Sequence, residues 1–189
     1  MRSMFYNCSS LKSVYILYFD ISQVTYMDSI FRECSSLESI YLSNINTSKV
    51  INIGYMFYGC SSLKFIDLSN FDTSQVTTIF NMFCNCSPLK SIDLSSFNNF
   101  KFYFMHNMFN GWISLEYINL SYFETSKVIN MGYLFFGCSS LKFLDLSNFD
   151  NFKVTDIDFM FYKCSSLQSI DISNFYKINC IHIKICFQI

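Results

Sequence analysis

The hydrophobic positions of this chain recur with a period of 26 residues, without insertion or deletion, in seven copies. Phe lies three residues before one reference position in every copy, and Leu lies three residues after it. The reference positions are Cys8, Cys34, Cys60, Cys86, Trp112, Cys138 and Cys164. Stacked repeats need such constant columns, because each side chain packs on its counterpart in the next layer. The chain is therefore predicted to be a solenoid, whose coils we number 1 to 7 by these reference positions.

The spacing inside one repeat predicts its local structure. Leu63-x-x-Ile66-x-Leu68 is typical of a short strand, because alternation places Ile66 and Leu68 on one face. The polar residues 72–74 are turn chemistry. Apolar residues then recur at steps of three and four over 76–83, which predicts a short helical or 3₁₀ segment.

These elements predict an α/β repeat of the leucine-rich-repeat class. A parallel β-sheet is expected on the concave face and short helical or 3₁₀ segments on the convex side, in about seven coils. Equivalent inward side chains are expected to form one apolar ladder along the solenoid. The ladder positions singled out are Phe57, Cys60, Leu63, Ile66, Leu68, Phe71, Phe83, Cys86, Phe109, Phe135 and Cys138.

The string MFYGCSSLKFIDLSNFDTSQVTTIFNMF, residues 56–83, resembles the BspA-like leucine-rich repeat, which occurs in surface proteins of bacteria and some protists. The resemblance covers residues 1–176 and departs from the pattern locally. In coil 5 the reference Cys and the following Ser are replaced by Trp112 and Ile113, and Asn99, Phe100 and Phe102 replace Thr, Ser and Val. The resemblance implies a surface or secreted role, such as adhesion to a host or matrix.

The repeats predict one domain, a solenoid over residues 1–176 whose first repeat is truncated, followed by a degenerate apolar tail over 177–189. Because the chain begins inside a repeat, we expect a fragment or a mis-started gene product that lacks an N-terminal cap and any secretion signal. The alternative is a short protein whose first layer frays. Uncapped solenoid ends also predict end-to-end self-association.

Composition narrows the function classes further. A net charge of −1 gives no electrostatic reason to expect nucleic acid or an anionic membrane as partner. No apolar run is long enough to predict a transmembrane helix. No phosphate-binding glycine loop or nucleophile elbow is present, and the Ser, Asp and Asn residues recur at turn positions in every copy. We therefore predict a non-enzymatic protein without a cofactor.

Nine cysteines suggest a disulfide framework, but their column argues for reduced, inward-facing side chains beside Phe and Leu. Cys84 lies outside that column, and it is predicted to face outward as a candidate reactive or bridging thiol. In the tail, Cys180, His182 and Cys186 have zinc-ligand types but lack a clear fourth ligand, so no metal site is predicted. His106 has no partnered acid or nucleophile in sequence and is not predicted to be a base.

One set of positions indicates a recognition surface, which we call the concave strip. These residues are predicted to point away from the core along the strands, and they are Tyr15, Tyr41, Phe65, Asp67, Asp93, Tyr117, Asn119, Phe143, Asp145 and Asp171. The functional interpretation is a mixed aromatic and acidic ligand face. The structural interpretation is a solvated face on which diagonal Asp–Lys pairs supply solubility.

The sequence leaves three hypotheses open. The first is a non-enzymatic binding or adhesion module that recognises protein or glycan ligands at a cell surface. The second is a structural or variable surface-coat array without a fixed ligand, and the third is an intracellular protein-protein scaffold.

Overall fold

The coils are built from very short parallel strands. The structure is a computed structural model, and it describes residues 1–16, 19–42, 45–97 and 101–175. The strands follow the Leu of each repeat, and they are β1 (Ser13–Tyr15), β2 (Ser39–Tyr41), β3 (Phe65–Asp67), β4 (Phe143–Asp145) and β5 (Ser169–Asp171). They form one sheet of order β1-β2-β3 and another of order β4-β5. Every pair is in register with the repeat, as where Ile40 lies opposite Ile66.

Between the two sheets, coils 4 and 5 contain no strand among the described residues. The backbones there remain adjacent, because Glu116 N donates to Lys90 O at 3.0 Å. On the other side of the coils, a second row of parallel bridges crosses this interval without a break. It joins Tyr26, Asn52, Thr78, Phe104, Asn130 and Asp156. This arrangement confirms the predicted parallel repeat solenoid, with its strand side divided into two sheets.

The side opposite the strands differs from the prediction, because the described residues contain no helix and no 3₁₀ segment there. Consecutive turns occupy these positions instead, as over residues 54–59. Alternate N–H groups donate to the next coil, and those between them donate to the carbonyl three residues back. Phe57 N donates to Met82 O at 2.9 Å, whereas Met56 N donates to Ile53 O at 3.2 Å. Half of the backbone donors are thus committed to the neighbouring coil and are not available to a helix.

Two left-handed residues per coil also prevent a helix from forming. They recur in register, with φ between 51° and 73°, and one of them directly precedes each reference position. That second column is Asn7, Glu33, Gly59, Asn85, Gly111, Gly137 and Lys163. Gly and Asn predominate in it because they adopt positive φ at the least steric cost. The spacing of apolar residues over 76–83 therefore comes from turns of alternating handedness.

The Phe residues three before the reference position form a continuous stack through the solenoid. Neighbouring rings are nearly parallel, with interplanar angles of 2–14° and centroid separations of 5.4–6.2 Å. The stack contains Phe5, Phe31, Phe57, Phe83, Phe109, Phe135 and Phe161. A second stack joins Phe71, Phe97 and Phe123, also fully or almost fully buried. The core is therefore a set of parallel columns that continue from coil to coil.

The Asp-Thr-Ser turns have a local and an inter-coil role. Asp72 Oδ1 accepts the backbone N–H of Ser74 at 2.8 Å, which fixes the turn after the strand. The Thr of the motif is buried in several coils, as at Thr47 and Thr73. The Thr47 hydroxyl donates to the carbonyl oxygen of Asp72 in the next coil at 3.0 Å. The motif is therefore explained by backbone hydrogen bonding within and between coils.

Coil 5 accommodates its exceptional residue without leaving the column. Trp112 is fully buried, and its ring lies 5.9 Å from that of Phe83 and 5.7 Å from that of Phe109. Its indole Nε1 donates to the carbonyl oxygen of Leu89. Phe102, which replaces the usual Val, is also buried. These larger side chains coincide with the interval between the two sheets.

Candidate functional site

The concave strip consists of two side-chain columns on the solvent side of the strands and of the equivalent segments in coils 4 and 5. Pairing places Tyr15 opposite Tyr41 and Tyr41 opposite Asp67, and it places Asp145 opposite Asp171. The predicted strip residues are exposed, except Tyr41 and Asp67, which are half-buried. The structure therefore brings the predicted residues onto one face.

The strip begins with an aromatic section in the first coils. The rings of Tyr15 and Tyr41 stack at 5.0 Å with an interplanar angle of 9°. Phe65 follows at 5.2 Å from Tyr41 in a tilted arrangement. Because Tyr15 is 61% and Phe65 47% exposed, this section presents ring faces and edges to solvent.

From coil 3 onward the strip carries a column of turn-forming carboxylates and one amide. In each case the side-chain Oδ1 accepts the N–H of the Ser two residues later, at 2.8–3.0 Å. The acceptors are Asp67, Asp93, Asn119, Asp145 and Asp171. Asn119 makes the same bond to Ser121, at 3.0 Å, that Asp145 makes to Ser147 at 2.8 Å. The column therefore has a structural reason to be Asp or Asn, independent of any ligand.

Hydrogen bonding also favours the charged form of two of these carboxylates. Bonds from the Ser95 backbone and side chain lower the pKa of Asp93, and bonds from Ser147 lower the pKa of Asp145. Both carboxylates thus carry a negative charge at neutral pH.

The ion pairs on this face differ from the predicted Asp–Lys diagonals. Lys64 pairs with Glu38 at 2.8 Å, and Lys90 pairs with Glu116 at 2.9 Å. Each pair joins equivalent positions of adjacent coils, where the stacking distance suits two long side chains. Lys64 and Lys90 are therefore engaged within their own column, and Asp93, Asp145 and Asp171 make no ion pair with any described residue.

A cleft of about 280 Å³ opens on the strip between coils 5 and 7. Tyr117 and Phe143 contribute exposed aromatic rings to its lining, 59% and 55% exposed. The carboxylates of Asp145 and Asp171 line it together with the amide of Asn119. Ser121, Asn148 and Ser169 also line this cleft, although sequence reasoning did not single them out. The only feature of the sequence that could have indicated them is their position beside the predicted columns in the repeat.

The cysteines of the described residues are all unbridged. Burial raises the pKa of Cys34 to about 11 and that of Cys164 to about 11. Cys84 is buried as well, with its pKa raised by burial to about 12, so the prediction of an outward-facing reactive thiol is wrong. Cys84 occupies the same column as the half-buried Tyr58 and Phe136, so its shorter side chain stays below the surface that the longer residues reach. Cys8 is the exposed thiol of this part of the chain.

A second group of aromatic and cationic side chains lies on the turn side, and the sequence analysis missed it. Arg32 lies over the rings of Tyr55 and Tyr58, with its guanidinium carbon 4.9 and 5.0 Å from the two centroids. Lys163 lies 5.8 Å from the ring centroid of Phe136. The signal was the column two residues before the reference position, which holds Tyr, Phe or Arg in most coils.

His106 lies half-buried on the same side and stacks on Phe80 with ring centroids 4.8 Å apart. Burial lowers its pKa, against the opposing effect of Asp156. The tail positions Cys180, His182 and Cys186 lie outside the described residues. Within the described ranges, no three or more potential metal-ligating side chains form a cluster. The same ranges contain no helix that could span a membrane.

The coils and columns described above define a leucine-rich-repeat solenoid of the BspA-like kind. A family model described as "Mycoplasma protein of unknown function, DUF285" matches residues 1–116 and 89–188. The chain belongs to this family. No protein of curated function matches it.

Two solved structures are similar to the chain. The first is a leucine-rich repeat protein from Bacteroides ovatus, with 23% identity and a TM-score of 0.47, covering 85% of this chain and 45% of that one. The second is a leucine-rich repeat protein of T. pallidum, with 22% identity and a TM-score of 0.41, covering 85% of this chain and 58% of that one. The chain thus spans about half the length of these two proteins. Likenesses of this size carry no functional information.

Proposed function

We propose that this solenoid is a non-enzymatic binding module that recognises a protein or glycan ligand through its concave strip. The observation that carries the proposal is the cleft between coils 5 and 7. It combines aromatic rings with carboxylate and amide side chains on the exposed strand side of the coils, the usual composition of a recognition site. The resemblance to BspA-like surface proteins supports placing this binding at a cell surface.

The cleft aromatics are not explained by the needs of the repeat. Tyr117 and Phe143 occupy a column in which four other coils have Ser, at Ser13, Ser39, Ser91 and Ser169. A coil therefore forms with a small polar residue at that position. An exposed ring there covers no core, so its presence favours a role in contact with another molecule.

A structural array without a fixed ligand is the second candidate, and one observation favours it. Asp67, Asp93, Asp145 and Asp171 each bond to a turn N–H, which explains their recurrence without any ligand. The aromatic positions distinguish the two candidates better than the acidic ones, because no turn requires them.

The test measures binding of the full chain and of two variants to protein and glycan arrays. The variant Tyr117→Ser with Phe143→Ser introduces the residue that the same column already contains elsewhere. The control is Tyr103→Thr, which removes an exposed tyrosine on the turn side, where equivalent positions are Thr25, Thr77 and Thr155. The proposal predicts that the double variant loses array ligands that the control retains. If every detected interaction survives in the double variant, the strip is not a binding site.

A further inference from the structure

We propose that the cleft between coils 5 and 7 binds a lysine or arginine side chain presented by a basic segment of a protein partner. This inference rests on the proposed function and names the ligand chemistry of the same site. It follows from the charge, the rings and the size of the cleft taken together.

The cleft lining has negative charge that no cation among the described residues neutralises. Asp145 and Asp171 contribute two carboxylates, and no Lys, Arg or His belongs to the lining. The nearest cation in sequence, Lys142, instead contributes to the lowered pKa of Glu116 in the adjacent coil. Hydrogen bonds from Ser147 lower the pKa of Asp145, and no cation contributes to that shift. A cationic ligand would therefore meet charges that lack a counterion within the described chain.

The rings favour the same kind of ligand. A cation placed over an aromatic face is attracted by the ring quadrupole, and the aliphatic part of a Lys or Arg side chain packs on the same surface. Tyr117 and Phe143 offer such surfaces beside the two carboxylates. The chain uses this chemistry internally, where Arg32 lies about equally far from two tyrosine rings and Lys163 lies 5.6 Å from the ring centroid of Tyr162.

The other ligand classes fit this cleft less well. A neutral sugar would stack on the rings but would displace water from two carboxylates without supplying positive charge, and desolvating an unpaired charge is costly. An anionic glycan would be repelled by both carboxylates. The volume of about 280 Å³ lies just below the range of small-molecule sites, about 300–1,000 Å³, and suits one long side chain.

The test uses fluorescence anisotropy with a labelled short peptide of alternating lysine and glycine, and a glutamate–glycine peptide as the opposite-charge probe. The cleft variant is Asp145→Asn with Asp171→Asn, which keeps the turn acceptors because Asn119 already serves that role in the column. The matched control is Asp67→Asn with Asp93→Asn, which makes the same net-charge change in the same column outside the cleft lining. A third variant, Tyr117→Ser with Phe143→Ser, removes the rings.

The proposal predicts that the lysine peptide binds and the glutamate peptide does not. The Kd for the lysine peptide should rise about tenfold in the cleft variant and less than about twofold in the control. The ring variant should raise the Kd about threefold. Equal weakening by the cleft variant and the control would show general charge attraction and overturn the inference.

The two proposals fail in different ways. If the lysine peptide does not bind, but array ligands are lost in the ring variant, the ligand class is wrong and the binding function stands. If no array ligand depends on the strip and the lysine peptide also fails to bind, both proposals are wrong.

Discussion

The thiol of Cys86 donates a hydrogen bond to the carbonyl oxygen of Phe57 in the preceding coil, at 3.1 Å. The same oxygen accepts the backbone N–H of Cys60 at 3.1 Å. Equivalent thiol bonds of 3.0–3.2 Å run from Cys34, Cys60, Cys138 and Cys164 to the carbonyls of Phe5, Phe31, Phe109 and Phe135. Cysteine thus suits this column because its side chain is small and its thiol provides a hydrogen-bond donor inside the core. This donor links the backbone of one coil to the side-chain ladder of the next.

Thiol reactivity in the folded state follows from this burial. Only thiolates react rapidly with alkylating reagents, and at pH 8 a buried thiol such as Cys84, whose pKa is raised to about 12, is almost entirely protonated. We expect iodoacetamide to label Cys8 and to leave the other described cysteines unmodified. Peptide mass spectrometry on a Cys180→Ser, Cys186→Ser background measures this, with the denatured chain as the control for full labelling. Rapid labelling of Cys84 in the native protein would contradict the structure.

The same thiols make stability depend on alkaline pH. The folded pKa of Cys84 is about 12 against an ordinary value of 9.0, so above pH 9 the unfolded state loses protons that the folded state retains. The contribution of this thiol to stability is therefore fully present below pH 9 and is lost as pH rises from 9 toward 12. Urea unfolding at several pH values gives the free energy of unfolding. Above pH 9 it should fall more steeply in the parent protein than in Cys84→Ala, by up to about 1.4 kcal/mol per pH unit. Parallel curves for the two proteins would mean that this thiol is not buried.

Sequence periodicity predicted the solenoid because column constancy is set by stacking, which acts on every coil alike. The inward Phe, Leu and reference positions follow from it, and so does the outward placement of Tyr117 and Phe143. Periodicity could not distinguish a helix from consecutive turns over 76–83, since both place apolar residues at steps of three and four. The discriminating signal is the Gly and Asn column at Gly59, Asn85, Gly111 and Gly137, which marks positive φ.

The site was predictable as a face but not as a cleft. Alternation identifies which side chains point outward, whereas the cleft depends on how coils 5 to 7 are spaced beside one another. The ion pairs were misjudged for a related reason, because Lys64 reaches Glu38 in the adjacent coil and not an Asp on a diagonal. The burial of Cys84 was not predictable from its column, because the longer residues there, such as Tyr58 and Phe136, are only half-buried.

The turn segment predicts an unusual sign for one Gly-to-Ala change. In a helix this substitution stabilises by roughly 0.5–1 kcal/mol. Gly137 has φ +73° and its added Cβ would meet no atom closer than 3.8 Å, so backbone strain is the only cost. We expect Gly137→Ala to lower the free energy of unfolding by about 1 kcal/mol, measured by urea denaturation. An increase in stability would indicate a helical segment at this position.

The acidic column predicts different effects for two substitutions at one position. Asp145→Ala removes the acceptor for the Ser147 N–H and should cost about 1 kcal/mol of unfolding free energy. Asp145→Asn keeps the acceptor, as Asn119 shows in the neighbouring coil, and should change stability by less than about 0.5 kcal/mol. Both values come from urea denaturation. If both variants lose the same unfolding free energy, the loss comes from the removed charge and not from the turn hydrogen bond.

The stacked phenylalanine column is tested most directly by a double-mutant cycle on Phe83 and Phe109, whose rings lie 6.2 Å apart at an interplanar angle of 2°. Each is changed to Leu singly and together, and urea denaturation gives the free energies. The reference cycle uses Phe57 and Phe135, which lie three coils apart. We predict a coupling energy of about 0.5–1.5 kcal/mol for the adjacent pair and additivity within about 0.5 kcal/mol for the distant pair. Additive effects for Phe83 and Phe109 would show that the rings do not rest on one another.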